Sequence, residues 1–125
     1  MPDDEREARV AKVSHLLEDK KLLCIQKQPG VLAVTTFFEG FAVKSVGSED
    51  FEQVAAVAED FMRAGEKMAG DMKMGALGQI ILEAGERKCI IVPYGDLFLC
   101  LYTRADANLG LIRLAIRNLQ AMDQL

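Results

Sequence analysis

The residues of this sequence that could do chemistry are few and scattered. The single histidine, His15, has no recognisable nucleophile beside it, and the chain contains no Gly-x-Ser-x-Gly motif. Gly65 and Gly70 have the spacing of a phosphate-binding loop, but Asp71 and Met72 follow where that loop requires lysine and then serine or threonine. We therefore predict no catalytic residues and expect a protein that is not an enzyme.

The three cysteines, Cys24, Cys89 and Cys100, all lie in apolar stretches of sequence. An odd number leaves at least one unpaired, no Cys-x-x-Cys motif occurs, and one histidine cannot build a histidine-based zinc site. Free cysteine behaves as a small hydrophobic residue. We expect reduced, buried thiols, with no metal and no cofactor.

Length and composition predict one globular domain over residues 1–125, with half of the residues hydrophobic and 27% charged. A net charge of -4 argues against a surface that neutralises phosphates, so nucleic acid is not an expected partner. The start of the chain is acidic, and no apolar run approaches the ~18 residues of a membrane span. These features predict a cytoplasmic protein without a membrane span or a signal peptide.

Hydrophobic periodicity predicts the order helix, two strands, helix, three strands, helix. Pro29 and Gly30 end the first helix, and Glu39 and Gly40 form a two-residue hairpin turn, in which Gly40 supplies the positive φ of a type I′ turn. The elements are a helix over 3–26, strands over 31–38 and 41–46, a helix over 50–72, and strands over 79–84, from about 87 to 92 and over 97–102. Residues 93–96 form the turn between the last two strands, and a last helix is capped by Asp106 or Asn108.

The apolar content of the strands predicts their places in the sheet. Strands 31–38 and 97–102 are apolar on both faces and belong at the centre, whereas Lys44 and Ser45 place strand 41–46 nearer an edge. Strand 79–84 has one mixed face and also suits an edge. The predicted architecture is an α+β sandwich, a five-stranded antiparallel sheet with helices on both faces.

The helix over residues 50–72 has the clearest apolar stripe, and its composition is unusual. Several members are small, and Gly65 costs up to ~1 kcal/mol of helix propensity relative to alanine. Two interpretations stay open: the stripe packs on the protein's own sheet, or part of it meets a second subunit or another partner. Its members are Phe51, Val54, Ala55, Ala58, Phe61, Met62, Gly65, Met68, Ala69 and Met72.

Three short motifs, in this order and spacing, resemble the roadblock/dynein light chain family. Pro29-Gly30-Val31 leads into the first strand, Glu39-Gly40 stands where the family often has Asp-Gly, and the stretch 107–113, Ala-Asn-Leu-Gly-Leu-Ile-Arg, opens the last helix. The resemblance covers residues from about 9 to 122. It implies the profilin-like roadblock fold, with the element order α-β-β-α-β-β-β-α.

The resemblance also implies a function. Proteins of this family are small non-enzymatic modules that bind or regulate small Ras-like GTPases, or act as scaffolds and motor light chains. They form dimers by pairing their third strands into one sheet, with the middle helices side by side. Carried onto this chain, the homodimer interface comprises Ala55, Ala58, Met62, Gly65, Ala69, Gly78, Gln79, Ile80, Ile81, Leu82 and Glu83.

The outward residues of the same helix are the candidates for contact with a GTPase, although a solvated helix face is charged in any case. They are Glu52, Glu59, Asp60, Arg63, Glu66 and Lys67. A second hypothesis is a small-ligand sensor, because sensor domains of profilin-like fold also cover a five-stranded sheet with helices. Such a site needs convergent polar groups, and Thr35 and Thr36 are the main ones in the central strands.

Overall fold

The computed structural model describes residues 19–47 and 51–123. Residues 3–18 of the predicted first helix, and residue 50 at the start of the predicted middle helix, lie outside that part of the chain. The elements are α1 (Asp19–Gln26), β1 (Val31–Phe38), β2 (Phe41–Gly47), a short 3-10 helix (Glu52–Val54), α2 (Ala55–Asp71), β3 (Ile80–Glu83), β4 (Arg87–Tyr94), β5 (Leu97–Arg104) and α3 (Leu109–Asp123).

The five strands form one sheet in the order β2-β1-β5-β4-β3, and every neighbouring pair is antiparallel. The predicted central strands are therefore interior, and the predicted edge strands are at the two edges. The element order and the α+β class are confirmed as well. β3 is shorter than the predicted strand over 79–84.

Two hydrophobic clusters cover the two faces of the sheet. On one face, Leu22 and Ile25 of α1 and Ile112 and Ile116 of α3 pack against inward residues of β1, β4 and β5. On the other face, the cluster is smaller and lies under α2. β5 contributes to both clusters, as its two-sided apolar sequence predicts: Leu97, Leu99 and Leu101 face α1 and α3, and Cys100 faces α2.

The first hairpin turn and the cap of the last helix follow the local sequence, and one other predicted turn is shorter than expected. Glu39 and Gly40 both have positive φ, 50° and 82°, as the predicted type I′ turn requires. Asn108, rather than Asp106, caps α3, because its Oδ1 accepts a hydrogen bond from the Leu111 amide at 3.2 Å. The turn predicted over residues 93–96 is shorter, since β4 continues to Tyr94 and pairs with β5 up to that residue.

Candidate functional site

The buried residues of α2, most of them small, face the protein's own sheet. Ala55, Ala58, Met62 and Ala69 are buried within the protomer, at helical spacing. Of the two interpretations of the stripe, packing on the protein's own sheet therefore describes these residues. Their burial leaves them little surface to offer a second subunit, so any contact between α2 and a partner must use other residues of the helix.

Gly65 also acts within the protomer. A Cβ atom built at this position would lie 2.9 Å from Cδ1 of Ile80 and 3.1 Å from Cδ2 of Leu77. The glycine lets the helix pass closely over the start of β3 and the loop before it. Its cost in helix propensity is offset by this contact, which holds α2 near the edge of the sheet.

One flank of α2 is apolar and exposed. Val54, Val57, Phe61 and Met68 follow each other at intervals of three, four and seven residues, which places them along one side of the helix. Val57 is 52% exposed and Phe61 is 50% exposed. We call Val54, Val57, Phe61 and Met68 the apolar flank. Large apolar side chains on a surface with this continuity are typical of contact sites.

An open groove of about 300 Å³ separates the apolar flank from the strands on the β3 side of the sheet. Its walls are apolar, and its floor includes the side chains of β4 and β5. Leu82 of β3 stands at its rim and is 58% exposed. The lining residues are Phe51, Val54, Val57, Ala58, Phe61, Ile80, Leu82, Cys89, Ile91, Cys100 and Tyr102.

β3 forms one edge of the sheet and pairs with β4 on its inner side. Along the described chain no further strand lies beyond it, so its outer side presents backbone groups of the kind that pair with another strand. Ile80 and Leu82 line the groove, whereas Ile81 pairs with Ile90 of the opposite cluster. The groove and the open strand edge are thus adjacent parts of one surface.

The other flank of α2 is charged. Glu52, Glu59, Arg63 and Glu66 follow each other at intervals of seven, four and three residues; we call them the charged flank. The Arg63 guanidinium donates to the Glu59 carboxylate at 3.0 Å, with the Arg63 side chain 71% exposed and that of Glu59 15% exposed. Glu59 Oε2 lies 3.1 Å from where a Cβ of Gly40 would be, so this flank faces the β1–β2 turn.

The two remaining candidates for partner contact lie between the flanks. Asp60 and Lys67 are exposed and seven residues apart, on the side of α2 that points away from the sheet. The Lys67 ammonium donates to Asp71 at 3.1 Å, an exposed pair within the helix. None of the six candidates therefore faces the groove. Five of them are exposed, and Glu59 is partly buried beside the β1–β2 turn.

The polar residues of the central strand do not form a ligand site. Thr35 Oγ1 and Ser45 Oγ are hydrogen bonded at 3.0 Å, and Thr36 Oγ1 accepts the Lys44 amide at 3.0 Å. Both threonines are buried and are satisfied by β2, which lies at the edge of the sheet opposite the groove. The small-ligand hypothesis thus loses the polar groups on which it depended.

Two of the three cysteines are in contact on the floor of the groove, whereas Cys24 on α1 is exposed, so the prediction of a buried thiol is wrong for Cys24. The Sγ atoms of Cys89 and Cys100 are 3.1 Å apart and form a hydrogen bond. In the register, Cys89 is paired with Tyr102 and Cys100 with Ile91, so the cysteines are diagonal neighbours on one face. The hydrogen bond from Cys100 lowers the pKa of the Cys89 thiol against the effect of its burial. The same hydrogen bond, together with burial, raises the pKa of Cys100.

Neither a metal centre nor a membrane segment is found in the parts of the chain that the structure describes. Over residues 19–47 and 51–123, no three histidine, cysteine, aspartate or glutamate side chains converge so as to hold a metal ion. None of the helices over the same residues combines the length and the apolar character that crossing a bilayer requires.

Sequence comparison identifies relatives among archaeal proteins. No family model matches the chain. Two uncharacterized proteins of Methanocaldococcus jannaschii, MJ0310 and MJ1340, are each 33% identical to it over 102 residues, which cover 79% of this chain and 90% of theirs. The chain belongs to the family of these two proteins.

Solved structures with the same arrangement of elements are roadblock/LC7 proteins. A roadblock/LC7 domain from Streptomyces avermitilis has a TM-score of 0.71 at 14% identity and covers 81% of this chain, which covers 88% of that domain. Myxococcus xanthus MglB has a TM-score of 0.71 at 17% identity, covering 82% of this chain and 90% of its own. The fold is therefore the roadblock/LC7 fold, as the sequence motifs implied.

Within this roadblock/LC7 fold, the predicted interface residues separate into three groups. The four buried residues of α2, together with Gly65, pack inside the protomer. Gly78 and Gln79 lie in the loop before β3, and the other four, Ile80, Ile81, Leu82 and Glu83, form the edge strand itself. Val57 was missed as an interface candidate, although it lies three residues after Val54 and four before Phe61. That spacing places Val57 on the same side of the helix as Val54 and Phe61, although it does not show which side the sheet covers. The meeting of Cys89 and Cys100 has no comparable signal in the sequence.

Proposed function

We propose that this protein forms a homodimer through β3 and the apolar flank of α2, and that the dimer regulates or scaffolds a small Ras-like GTPase. The observation that carries the proposal is the continuity of an exposed apolar surface with an open strand edge. Phe61 and Leu82 expose half or more of their surface on the two sides of one groove, directly beside the outer edge of β3. A second copy of the chain can satisfy both features.

Pairing two β3 strands would extend the sheet across the dimer and use the backbone groups at its edge. The same two-fold arrangement would bring the two α2 helices together over the joined strands. Val57 and Phe61 would then be buried against the partner, and each Å² of apolar surface buried would stabilise the dimer by about 25 cal/mol. The proposed contact uses the apolar flank, while the small residues hold the helix on its own sheet.

Two comparisons support self-association. The resemblance of the sequence to roadblock proteins implies dimers of this geometry. In addition, a structure described as MglB with a tetrameric arrangement matches this chain with a TM-score of 0.73 at 13% identity, covering 84% of each chain. The GTPase partner is implied by the family resemblance, and the groove and strand edge do not by themselves specify it.

The surface left for the GTPase in such a dimer is the charged side of α2. Arg63 and Lys67 are exposed there, and each is held by an acidic residue one turn away. Ion pairs of this kind stabilise a helix by only about 0.3–0.5 kcal/mol. Arg63 and Lys67 can therefore leave their acidic partners and contact a GTPase with little loss of helix stability. The expected action is to position the switch loops of the GTPase.

The dimer is tested by the solution mass from light scattering of the wild type and of the Phe61→Glu and Leu82→Lys variants. The wild type should be a dimer at micromolar concentration, and both variants should be folded monomers. Leu114→Lys is the matched control, because Leu114 is an apolar residue of α3 that is 53% exposed on the opposite face of the sheet. A dimer unaffected by Phe61→Glu and Leu82→Lys would contradict this interface.

A monomeric wild type would instead favour the second candidate, a sensor of small ligands. The observation in its favour is the groove itself, whose volume of about 300 Å³ could hold a small apolar molecule. That outcome would be followed by mass spectrometry of the native protein for a copurifying ligand. A dimer without a ligand would leave the GTPase proposal as the function to pursue.

A further inference from the structure

The cysteine pair on the groove floor has the geometry of a reactive dithiol. Cys89 lies on β4 and Cys100 on β5, and their sulfur atoms are 3.1 Å apart. A disulfide bond is about 2.05 Å long, so the two sulfurs need to approach by only about 1 Å. Cys24 belongs to α1 and is exposed, whereas the pair lies on the α2 face of the sheet.

The two thiols differ in ways that assign them different roles. Cys89 is partly exposed to the groove, whereas Cys100 is 3% exposed and lies deeper in the cluster under α2. The thiol of Cys100 can donate its hydrogen to a thiolate at Cys89, and it is then placed to attack any group that becomes attached to that sulfur. A partly exposed attacking thiol with a buried resolving thiol beside it is typical of dithiol oxidation sites.

The groove also selects what can reach the pair. The side chains that surround the two thiols are aliphatic or aromatic, including Phe51, Phe61 and Tyr102. A charged reagent must leave water to enter such a groove, whereas a neutral apolar reagent need not lose strong hydration. The groove volume of about 300 Å³ is sufficient for a small aromatic disulfide.

We propose that Cys89 and Cys100 form a dithiol site that is oxidised to an intramolecular disulfide by neutral, apolar small-molecule disulfides entering the groove. The Cys89 thiolate attacks one sulfur of the reagent, whose S–S bond breaks, and one thiol product leaves with the electron pair and takes up a proton. Cys100 then attacks the Cys89 sulfur, the mixed S–S bond breaks, and the proton of Cys100 passes to the departing second thiolate, which leaves as a thiol. Two protein thiols are oxidised and one disulfide is reduced to two thiols.

This inference goes beyond the proposed function and does not depend on a GTPase or on the dimer. Because the groove borders the proposed dimer surface, a partner subunit could slow the entry of a reagent. The reaction is therefore measured on both the wild type and a Met68→Glu variant, because Met68 belongs to the apolar flank and is exposed but does not line the groove. Reaction of both, or of the variant alone, supports the dithiol site, and the difference between them separately reports whether a dimer covers the groove. Reaction of neither overturns the site.

The test uses 2,2′-dipyridyl disulfide as the probe on the folded, fully reduced chain, followed by mass spectrometry of peptides. The expected product carries a pyridylthio group, as a mixed disulfide, on Cys24, while the peptides of Cys89 and Cys100 are joined without an added group. Cys24 thus serves as an internal control for an isolated thiol. Separate pyridylthio groups on Cys89 and Cys100, or two unmodified thiols there in both the wild type and the variant, would overturn the proposal.

Two variants in a Cys24→Ser background separate the roles of the pair. In Cys100→Ser, the mixed disulfide should accumulate on Cys89, because no resolving thiol remains. In Cys89→Ser, the buried Cys100 should react at least about tenfold more slowly than Cys89 does in Cys100→Ser, a difference expected from its exclusion from water. Equal reactivity of the two single thiols would contradict the assigned order of attack.

The selectivity of the groove is tested with a charged disulfide, 5,5′-dithiobis(2-nitrobenzoate), as a second probe. Relative to its rate with Cys24, this dianion should oxidise the pair at least about tenfold more slowly than the neutral probe does, because it must lose hydration on entry. Equal relative rates for the two probes would show that the groove does not select the reagent, and would overturn that part of the proposal.

Discussion

Gly30 and Ala107 are in contact so closely that a Cβ atom at Gly30 would lie 2.7 Å from the Cβ of Ala107. Gly30 also has a φ of 88°, which favours glycine. Its carbonyl accepts the Arg104 amide at 2.8 Å. The turn after α1 and the loop before α3 are thus in direct contact and hydrogen bonded. This contact places the two helices side by side on the same face of the sheet.

Gly30→Ala should therefore lower the free energy of unfolding by about 2 kcal/mol, through the cost of a positive φ and the overlap with Ala107. The midpoint of urea denaturation measures the change. Gly85→Ala is the control, because Gly85 is exposed and has no atom within 4 Å of the position of a Cβ. It should change stability by no more than about 0.5 kcal/mol. Equal effects of the two substitutions would contradict the contact.

Neighbouring positions of α2 should respond in opposite ways to the same substitution. Ala58 is 6% exposed under the helix, so Ala58→Arg forces a charge into the cluster and should cost more than about 4 kcal/mol, leaving a chain without cooperative unfolding. Val57 lies on the apolar flank, so Val57→Arg should preserve the fold and convert the proposed dimer to a monomer. Circular dichroism and light scattering distinguish an unfolded chain from a folded monomer. A folded Ala58→Arg monomer would show that the buried stripe itself forms the dimer contact.

Reversing charge at Arg63 and Lys67 should weaken binding of a small Ras-like GTPase by about tenfold or more, without changing the mass of the dimer. The expectation follows from their exposure on the side of α2 that lies away from the groove. Isothermal titration against small GTPases from the same organism, loaded with GDP or a non-hydrolysable GTP analogue, measures the affinity.

Arg113→Glu with Arg117→Glu is the matched control for that reversal. Both arginines are exposed on α3, and they are four residues apart, as are Arg63 and Lys67. The control changes the net charge of the protein by the same amount, but on the opposite face of the sheet. If both double variants lose the same affinity, the effect is one of net charge, and α2 is not the contact surface.

Alkylation of Cys89 should persist to lower pH than alkylation of an ordinary thiol. The hydrogen bond from Cys100 lowers the pKa of Cys89, so a larger fraction is thiolate at any pH below its ordinary midpoint, and only the thiolate reacts. The rate of Cys89 alkylation should rise with pH and reach its plateau at a lower pH than the rate of an ordinary thiol does. In a Cys24→Ser background, the pH profile of the iodoacetamide rate measures this midpoint.

Two substitutions at Cys100 test the cause of that lowered pKa. Cys100→Ala removes the donor and should move the midpoint of Cys89 alkylation to higher pH. Cys100→Ser keeps a donor at the same place and should retain the low midpoint. A midpoint that is equal in the alanine and serine variants would assign the lowered pKa to something other than this hydrogen bond.

Much of the fold follows from the sequence alone, because local patterns carry it. The two-sided apolar content of β1 and β5 requires cover on both faces, which places these strands inside the sheet. Lys44 and Ser45 mark β2 as an edge. Glu39 and Gly40 determine the hairpin turn, since a two-residue connection requires positive φ. These features depend on neighbours along the chain and on burial, so they can be predicted before any tertiary contact is known.

The division of α2 into a buried stripe and an exposed flank was decided by the tertiary structure. The apolar residues of this helix cover a wide arc, and periodicity cannot say which part of the arc the sheet will occupy. The sheet lies against Ala55, Ala58 and Met62, where small or flexible side chains allow close approach, and it leaves Val57 and Phe61 exposed.

The contact between Cys89 and Cys100 depends on strand register, which the sequence does not reveal. A shift of one residue between β4 and β5 would place the two sulfurs on opposite faces of the sheet. The apolar character of both faces of these strands permits more than one register, and the packing of both faces selects the observed one. The sequence by itself determined which strands are buried, and the tertiary structure decided which side chains meet.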